Sequence, residues 1–445
     1  MKRNISPKPS FAALLPLGLF LAIFVGSGLY FQSLGTDFAF YQVAAPVAAL
    51  PAIILSILLA KETLNETVER FLGGAGNSNI MAMCMIYLLA GGFSAVAKAT
   101  GGVDAVVAVA MGIIPSSFLL PGLFVVGALI STAMGTSMGT IAAIAPIALG
   151  IAGEAGLPLA LTAGAVTGGA MFGDNLSIIS DTTIAATRTQ GCEMKDKFRV
   201  NFAVACPAAL LTIIILIFQA KGATVPEPSD ASMLLALPYA AILVMAISGL
   251  NVFAVLITGI VLAGIAGFAA TQDFTLLLFA KEIYKGFTGM QEIFILSIFI
   301  GGLGELMKHQ GGLTALERVV SNGIRHIASG RAGRAIAEGG IGILVFLTNL
   351  CTANNTVAIL VTGSVVRNIA ETHGVEPKRA AGTLDIFSCI CQGMIPWGAQ
   401  LLLVGSIFKI SPIAVAGNVH YCLALLLCSV VSLFIPSSKE KTVQA

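Results

Sequence analysis

Gly168-Gly-Ala-Met-Phe-Gly-Asp-Asn-Leu-Ser-Ile-Ile-Ser-Asp-Thr-Thr183 places two carboxylates inside an otherwise apolar segment. A second polar run, Ser131-Thr-Ala-Met-Gly-Thr-Ser-Met-Gly-Thr140, lies upstream between two apolar stretches. The rest of the chain decides how both are read. Of 445 residues 57% are apolar and 10% charged, and the mean hydropathy is +0.94. Soluble domains carry about 25% charge, so this composition predicts a polytopic membrane protein. At about 20 apolar residues per crossing, the apolar stretches give about ten full crossings and some shorter pieces. They lack the alternation of barrel strands, and backbone groups in lipid must be satisfied within the segment, so the spans are helices. The expected fold class is an all-α polytopic membrane protein.

Candidate spans cover roughly 11–30, 40–60, 78–98, 158–190, 200–220, 232–249, 251–270, 288–307, 377–409 and 413–435. Two further apolar regions, 116–153 and 335–371, are interrupted by polar residues near their middles. Each limb is about 13–16 residues, or about 20–24 Å of helix, short of the roughly 30 Å hydrocarbon core. The distribution of Lys and Arg favours re-entrant hairpins. With the N-terminus inside and both regions treated as hairpins, five cations stay outside: Lys98, Lys221, Lys281, Lys285 and Lys409. The other nineteen of the 24 fall inside. Letting both regions cross would send the basic cluster at 188–199 outside. Both termini are therefore expected to be cytoplasmic.

Gly91, Gly92, Lys98, Gly101 and Gly102 recur as Gly301, Gly302, Lys308, Gly311 and Gly312, a shift of 210 residues. Thr136-Ser-Met-Gly-Thr140 is similarly paired with Thr352-Ala-Asn-Asn-Thr356 at a shift of 216, and 169–173 is loosely paired with 393–398. Combined with the topology, this predicts two inverted-topology repeats, each with a re-entrant helical hairpin and a broken transmembrane helix. The first repeat spans 1–221 (hairpin about 116–153, broken helix about 158–190). A polar linker follows at 222–231, and the second repeat spans 232–445 (hairpin about 335–371, broken helix about 377–409). Secondary transporters share this plan and place their site at the midplane, where the halves meet. The stretches 61–70 and 313–327 read as interfacial, the second as an amphipathic helix.

The two tips supply oxygen ligands. Thr136, Ser137 and Thr140 stand in one, and Thr352, Asn354, Asn355 and Thr356 in the other. Broken helices add free carbonyls and N–H groups, and hard monovalent cations such as Na⁺ need several oxygens. The alternative is that Gly, Ser and Thr merely allow close helix packing. Asp174 and Asp181 are seven apart with Ser177 between them, so an unbroken helix would put all three on one face, whereas Gly168, Gly169 and Gly173 favour a break. Carboxylates within the membrane are costly and mark ion or proton paths; their alternatives here are helix capping or pairing with Arg188. A carboxylate that carries a proton cannot also hold Na⁺, and that exclusion is sufficient for exchange. Asp385 is the carboxylate of the matching span in the second half. The ion- or substrate-binding set is thus Asp174, Asn175, Ser177, Asp181, Thr136, Ser137, Thr140, Thr352, Asn354, Asn355, Thr356 and Asp385. Among these, Asp174, Ser137, Thr140 and Asn355 are the candidate Na⁺ ligands.

Other chemistries are weakly represented. Eight cysteines, mostly in apolar segments, show neither a disulfide framework nor a zinc spacing. Four histidines lack the pattern of a zinc protease. The segment 73–76 has no Lys-Ser/Thr of a phosphate loop. An intramembrane aspartyl hydrolase using Asp174 and Asp385 would leave the repeat and both polar tips without a role. The N-terminal Lys2, Arg3 and Lys8 resemble the start of a signal peptide but read as flanking a retained first span. A net charge of +2 gives no case for nucleic acid.

Phe172-Gly-Asp-Asn-Leu-Ser-Ile-Ile-Ser-Asp-Thr-Thr183 resembles the Phe-Gly-Asp-Lys-Met-Ser-Pro-Leu-Ser-Asp-Thr-Thr motif of the NhaC family of Na⁺/H⁺ antiporters, and the run at 135–140 resembles the same family. The resemblance covers most of the chain. It implies an inner (plasma) membrane antiporter, not an enzyme, that exchanges Na⁺ for H⁺ without a cofactor, with Asp174, Ser177, Ser180, Asp181, Thr182 and Thr183 in the ion-handling region. Asn175 and Ile178 depart from the motif, as does 184–187 after it. The family is also similar to carriers coupling Na⁺ or H⁺ to amino acids or hydroxy acids, so a Na⁺- or H⁺-coupled carrier of a small amino acid or organic anion is the alternative. A homodimer is compatible with the resemblance, although no interface is legible.

Overall fold

The computed structural model describes residues 7–36, 39, 42–113, 115–220, 233–327 and 333–435. The linker expected at 222–231 lies outside the described residues. Before it, helices run as α1 (Leu15–Ser33), α2 (Ala45–Leu58), α3 (Leu64–Ala75), α4 (Ser78–Ala99) and α5 (Gly102–Ile113). They continue as α6 (Leu119–Met134), α7 (Ser137–Ala155), α8 (Leu159–Leu176), α9 (Asp181–Gln190) and α10 (Met194–Gln219). After it come α11 (Leu237–Ile247), α12 (Val252–Ala270), α13 (Leu276–Gly289), α14 (Gln291–His309) and α15 (Gly312–Ile327). The chain then forms α16 (Gly333–Thr352), α17 (Asn355–His373), α18 (Pro377–Gln392), α19 (Ala399–Phe408), α20 (Pro412–Ala416) and α21 (His420–Leu433). The described residues form helices and no strands, and the protein is an all-α polytopic membrane protein.

Six of these helices are individually long and apolar enough to cross a bilayer, and α13 with α14, bent by 42°, adds a seventh. The sequence suggests about ten. Five of the ten are among these seven; 40–60, 232–249 and 413–435 hold only shorter helices, and 158–190 and 377–409 are each split in two. The other two of the seven are α7 and α16, which at 19 and 20 residues are longer than the 13–16 expected of the limbs of the interrupted regions. Pro46 starts α2, where its missing N–H is of no consequence. The sequence reading assigns no element to α5 or α13. At the start of α3 the Thr63 side chain accepts from the Glu66 N–H while Glu66 caps the Thr63 backbone in return, a reciprocal arrangement that satisfies two otherwise orphaned donors.

Polarity is distributed inside out. Helices α7, α8, α18 and α19 are buried along almost their whole length. The outer helices expose large apolar side chains, among them Leu210, Ile214, Ile257, Val261, Leu427 and Val431. Lipid is as apolar as these residues, so water exclusion does not hold such helices together; close packing does. Glycine makes that packing feasible where α6 meets α8. A Cβ on Gly169 would collide with the Phe124 carbonyl, and one on Gly173 would lie 2.5 Å from the Ala128 oxygen. Ser131 completes the contact by donating to the Ala170 carbonyl at 2.6 Å. This crossing brings the end of α8 beside the start of α7.

Candidate functional site

Four helix ends converge on one crevice. Helix α6 ends at Gly135 in the left-handed region (φ 68°), and Thr136 then caps α7, its hydroxyl accepting from the Gly139 N–H at 3.4 Å. Helix α8 stops at Leu176, Ser177 is extended, and Ser180 caps α9. On the other side α16 ends at Thr352, Ala353 turns the chain at φ 48°, and the Asn354 side chain caps α17 through the Val357 N–H. Helix α18 ends at Gln392, and the chain resumes as a helix at Ala399.

Asp174 lies in the last turn of α8 and is 4% exposed. Its Oδ2 accepts from the Ser137 hydroxyl at 2.8 Å and its Oδ1 from the Ser180 hydroxyl at 2.5 Å. Both serines stand at helix N-termini, whose unpaired N–H groups favour a negative charge. A chain of donors reaches Asp174 from across the crevice. Gln392 Nε2 donates to Gln400 Oε1 at 2.8 Å, and Gln400 Nε2 donates to Ser137 Oγ at 3.0 Å, whose own hydroxyl hydrogen is donated to Asp174. The crevice has a volume of about 120 Å³, and Thr136, Ser137, Asp174, Asp181, Asn354, Asn355 and Thr356 line it together with Gln392 and Gln400. It offers carboxylate, hydroxyl and amide oxygens in one place, with little formal charge.

The break determines where the other predicted residues go. Asp181 does not share a continuous helical face with Asp174, because α8 has ended before it; it begins α9 and is exposed at the crevice. Ser177 is buried and its hydroxyl accepts from the Ile179 N–H. Asn175 points away, donating to the Tyr421 hydroxyl at 3.1 Å. Thr140 and Thr352 donate to the carbonyls of Thr136 and Thr348, one turn back on their own helices. Of the four candidate Na⁺ ligands, Asp174, Ser137 and Asn355 therefore line the crevice, and Thr140 is turned into its own helix.

Asp385 lies apart from the crevice lining, fully buried, in an ion pair of 2.7 Å with Lys197. Asn201 donates to the same carboxylate oxygen at 2.8 Å. Sequence reading missed Lys197, which it placed among the basic residues of a cytoplasmic connection. It also missed Gln392 and Gln400. The signal for Lys197 was present: Lys197, Asn201, Val204, Ala205, Ala208 and Thr212 follow helical spacing and form the buried stripe of α10.

Residues 9–221 match the model of the Na⁺/H⁺ antiporter family. Over that stretch the chain resembles Na⁺/H⁺ antiporters of this family, and the relatives it is similar to include NhaC proteins. Over 361 residues it is 27% identical to the Na⁺/H⁺ antiporter NhaC of Bacillus subtilis, covering 73% of this chain and 77% of that protein. Over 439 residues it is 24% identical to the malate-2H⁺/Na⁺-lactate antiporter of the same organism, covering 90% and 89%. It is also 25% identical over 457 residues to the arginine/ornithine antiporter ArcD of Halobacterium salinarum, covering 92% and 87%. In this structure the Phe172-Gly-Asp174 part of the motif lies in the last turns of α8, and Ser180 caps α9, which Asp181-Thr-Thr183 opens.

Proposed function

We propose that this protein is a secondary active Na⁺/H⁺ antiporter of the inner (plasma) membrane that exchanges protons for sodium at Asp174. The observation that carries the reading is the buried Asp174 carboxylate, held by Ser137 and Ser180 and open to a crevice of oxygen ligands. Na⁺ would take Asp174, Ser137 and Asn355 as ligands. A proton on Asp174 removes the charge that holds Na⁺, so each ion displaces the other. The crevice supports an ion over an organic solute: about 120 Å³ is well below the roughly 300–1,000 Å³ of small-molecule pockets.

The architecture we infer is two inverted repeats, 1–221 and 232–445, with α6–α7 and α16–α17 as re-entrant hairpins and α8–α9 and α18–α19 as broken helices. Equivalent residues touch where a two-fold axis would pass. The Tyr87 hydroxyl meets the Ser297 hydroxyl at 3.2 Å and Cys84 Sγ donates to the Phe294 carbonyl, both pairs 210 apart. From the first hairpin limb onward the offset we read is 218, where the sequence pairing has 216. Ser131 to the Ala170 carbonyl is repeated as Asn349 to the Ser388 carbonyl, and the α7 bounds recur as those of α17. At this offset Asp174 corresponds to Gln392. Both termini are then cytoplasmic. Single cysteines at Ser117 and Gly156 in a cysteine-free background should label from the same, outer face; labelling from opposite faces refutes the hairpin.

A second reading, a Na⁺- or H⁺-coupled carrier of an amino acid or organic anion, is favoured by the names of two relatives and by the helix N-termini, which suit a carboxylate. Proteoliposomes loaded with a pH-sensitive dye separate the two. Na⁺-evoked proton efflux without any organic solute supports antiport. Its absence, with solute-dependent Na⁺ uptake, overturns it.

A further inference from the structure

We propose that Lys197 is a positioning residue for Asp174, acting through the break between α8 and α9; the proposal rests on Na⁺ binding at Asp174. Lys197 lies on α10, one turn from its start, and its side chain is 1% exposed. An ammonium has three protons to donate, and here each has an acceptor. Nζ contacts Asp385 Oδ2 at 2.7 Å, the Asn175 carbonyl at 3.0 Å and Thr183 Oγ1 at 2.7 Å. The Asn175 carbonyl belongs to the last turn of α8 and Thr183 to the first turn of α9, so one cation grips both sides of the break. Thr183 in turn donates to the Ser177 carbonyl at 2.7 Å, closing a loop that runs from Ser177 to Thr183. Ser180 lies inside that loop and supplies the second hydroxyl on Asp174.

The second half is tied in as well. Asp385 on α18 is reached from α10 by both Lys197 and Asn201, and Asn201 also donates to the Asn175 carbonyl at 3.1 Å. Loosening this grip frees the loop and so the Ser180 hydroxyl, without removing any group that touches the ion.

The single variant Lys197→Met leaves Asp385 a buried charge without its counter-ion, which endangers folding. The test therefore uses the double variant Lys197→Met/Asp385→Leu, together with Thr183→Val and Thr183→Ser in the full chain. Two quantities are read: the half-saturating Na⁺ concentration from Na⁺-dependent thermal stabilisation, and Na⁺-driven proton flux at saturating Na⁺. A role in positioning raises the half-saturating Na⁺ about tenfold in the double variant and in Thr183→Val, because each frees the Ser180 hydroxyl and so weakens one hydrogen bond to the charged Asp174. Flux at saturating Na⁺ falls much less, and Thr183→Ser restores the wild-type value. A folded double variant or a Thr183→Val protein with the wild-type half-saturating Na⁺ overturns the proposal, and the Thr183 pair decides if the double variant does not fold. Failure of the underlying reading looks different, because the wild type itself would then show no stabilisation by Na⁺.

Discussion

The Ser137 hydroxyl, at the first residue of α7, donates to the Asp174 carboxylate near the end of α8 at 2.8 Å. That contact joins the turn between α6 and α7 to the end of α8, and the same Ser137 oxygen accepts from Gln400 of the second half. A single hydroxyl thus links both halves of the chain to the charge.

Replacing that charge is the most direct test. Asp174→Asn keeps the size and one acceptor oxygen but cannot balance a cation or alternate between ion and proton. Na⁺-driven proton flux in proteoliposomes is expected to fall to background, with monodisperse protein in detergent. Normal turnover by this variant would remove Asp174 from the mechanism.

Ser137→Ala removes a hydrogen bond to a charged acceptor, worth about 1.5–3 kcal/mol, and leaves the Gln400 amide without its acceptor. Half-saturating Na⁺ should rise by about ten- to a hundredfold. Flux titrations against Na⁺ concentration measure this, and an unchanged midpoint would show that Ser137 is not a ligand.

The turns after α6 and α16 differ in their residue at positive φ, Gly135 at 68° and Ala353 at 48°. A side chain in the left-handed region costs about 1–2 kcal/mol, offset in part by the greater freedom of glycine in the unfolded chain. Ala353→Gly should therefore raise the melting temperature slightly. Gly135→Ala should lower it, since its Cβ would lie 2.8 Å from Ile179. Thermal scans in one detergent compare the pair.

Glu62, just before α3, accepts two hydrogen bonds from Arg70 and meets His309 at 2.8 Å. The Arg70 hydrogen bonds, with His309 helping, hold its carboxyl down to about 2 from an ordinary 4.5. A depressed carboxylate stabilises the fold in full above the ordinary value, and that contribution is lost as pH falls through the depressed one. Glu62→Gln should thus melt slightly lower than wild type at pH 7, with the gap closing between pH 4.5 and pH 2. A gap independent of pH would mean that the pair contributes nothing through its charge.

Much of the site was legible because intramembrane polarity is rare. Asp174, the two tips and both helix breaks stand out against apolar neighbours, whereas Gly168, Gly169 and Gly173, read in the sequence as favouring a break, lie inside α8, where Gly169 and Gly173 pack on α6. Lys197 was missed despite its place on the helical stripe of α10, because a lysine between Lys195 and Arg199 reads as part of a solvated basic cluster.

By itself, the sequence determined that this chain lives in a membrane as helices and that Asp174 sits where charge is costly, since both follow from local polarity. Tertiary structure decided which oxygens share a crevice. It turned Asn175 towards Tyr421, left Asp181 exposed, and paired Asp385 with Lys197 from the other half. The direction in which a side chain points after a helix break depends on the few dihedrals of that break, and those are set by distant partners rather than by neighbours along the chain.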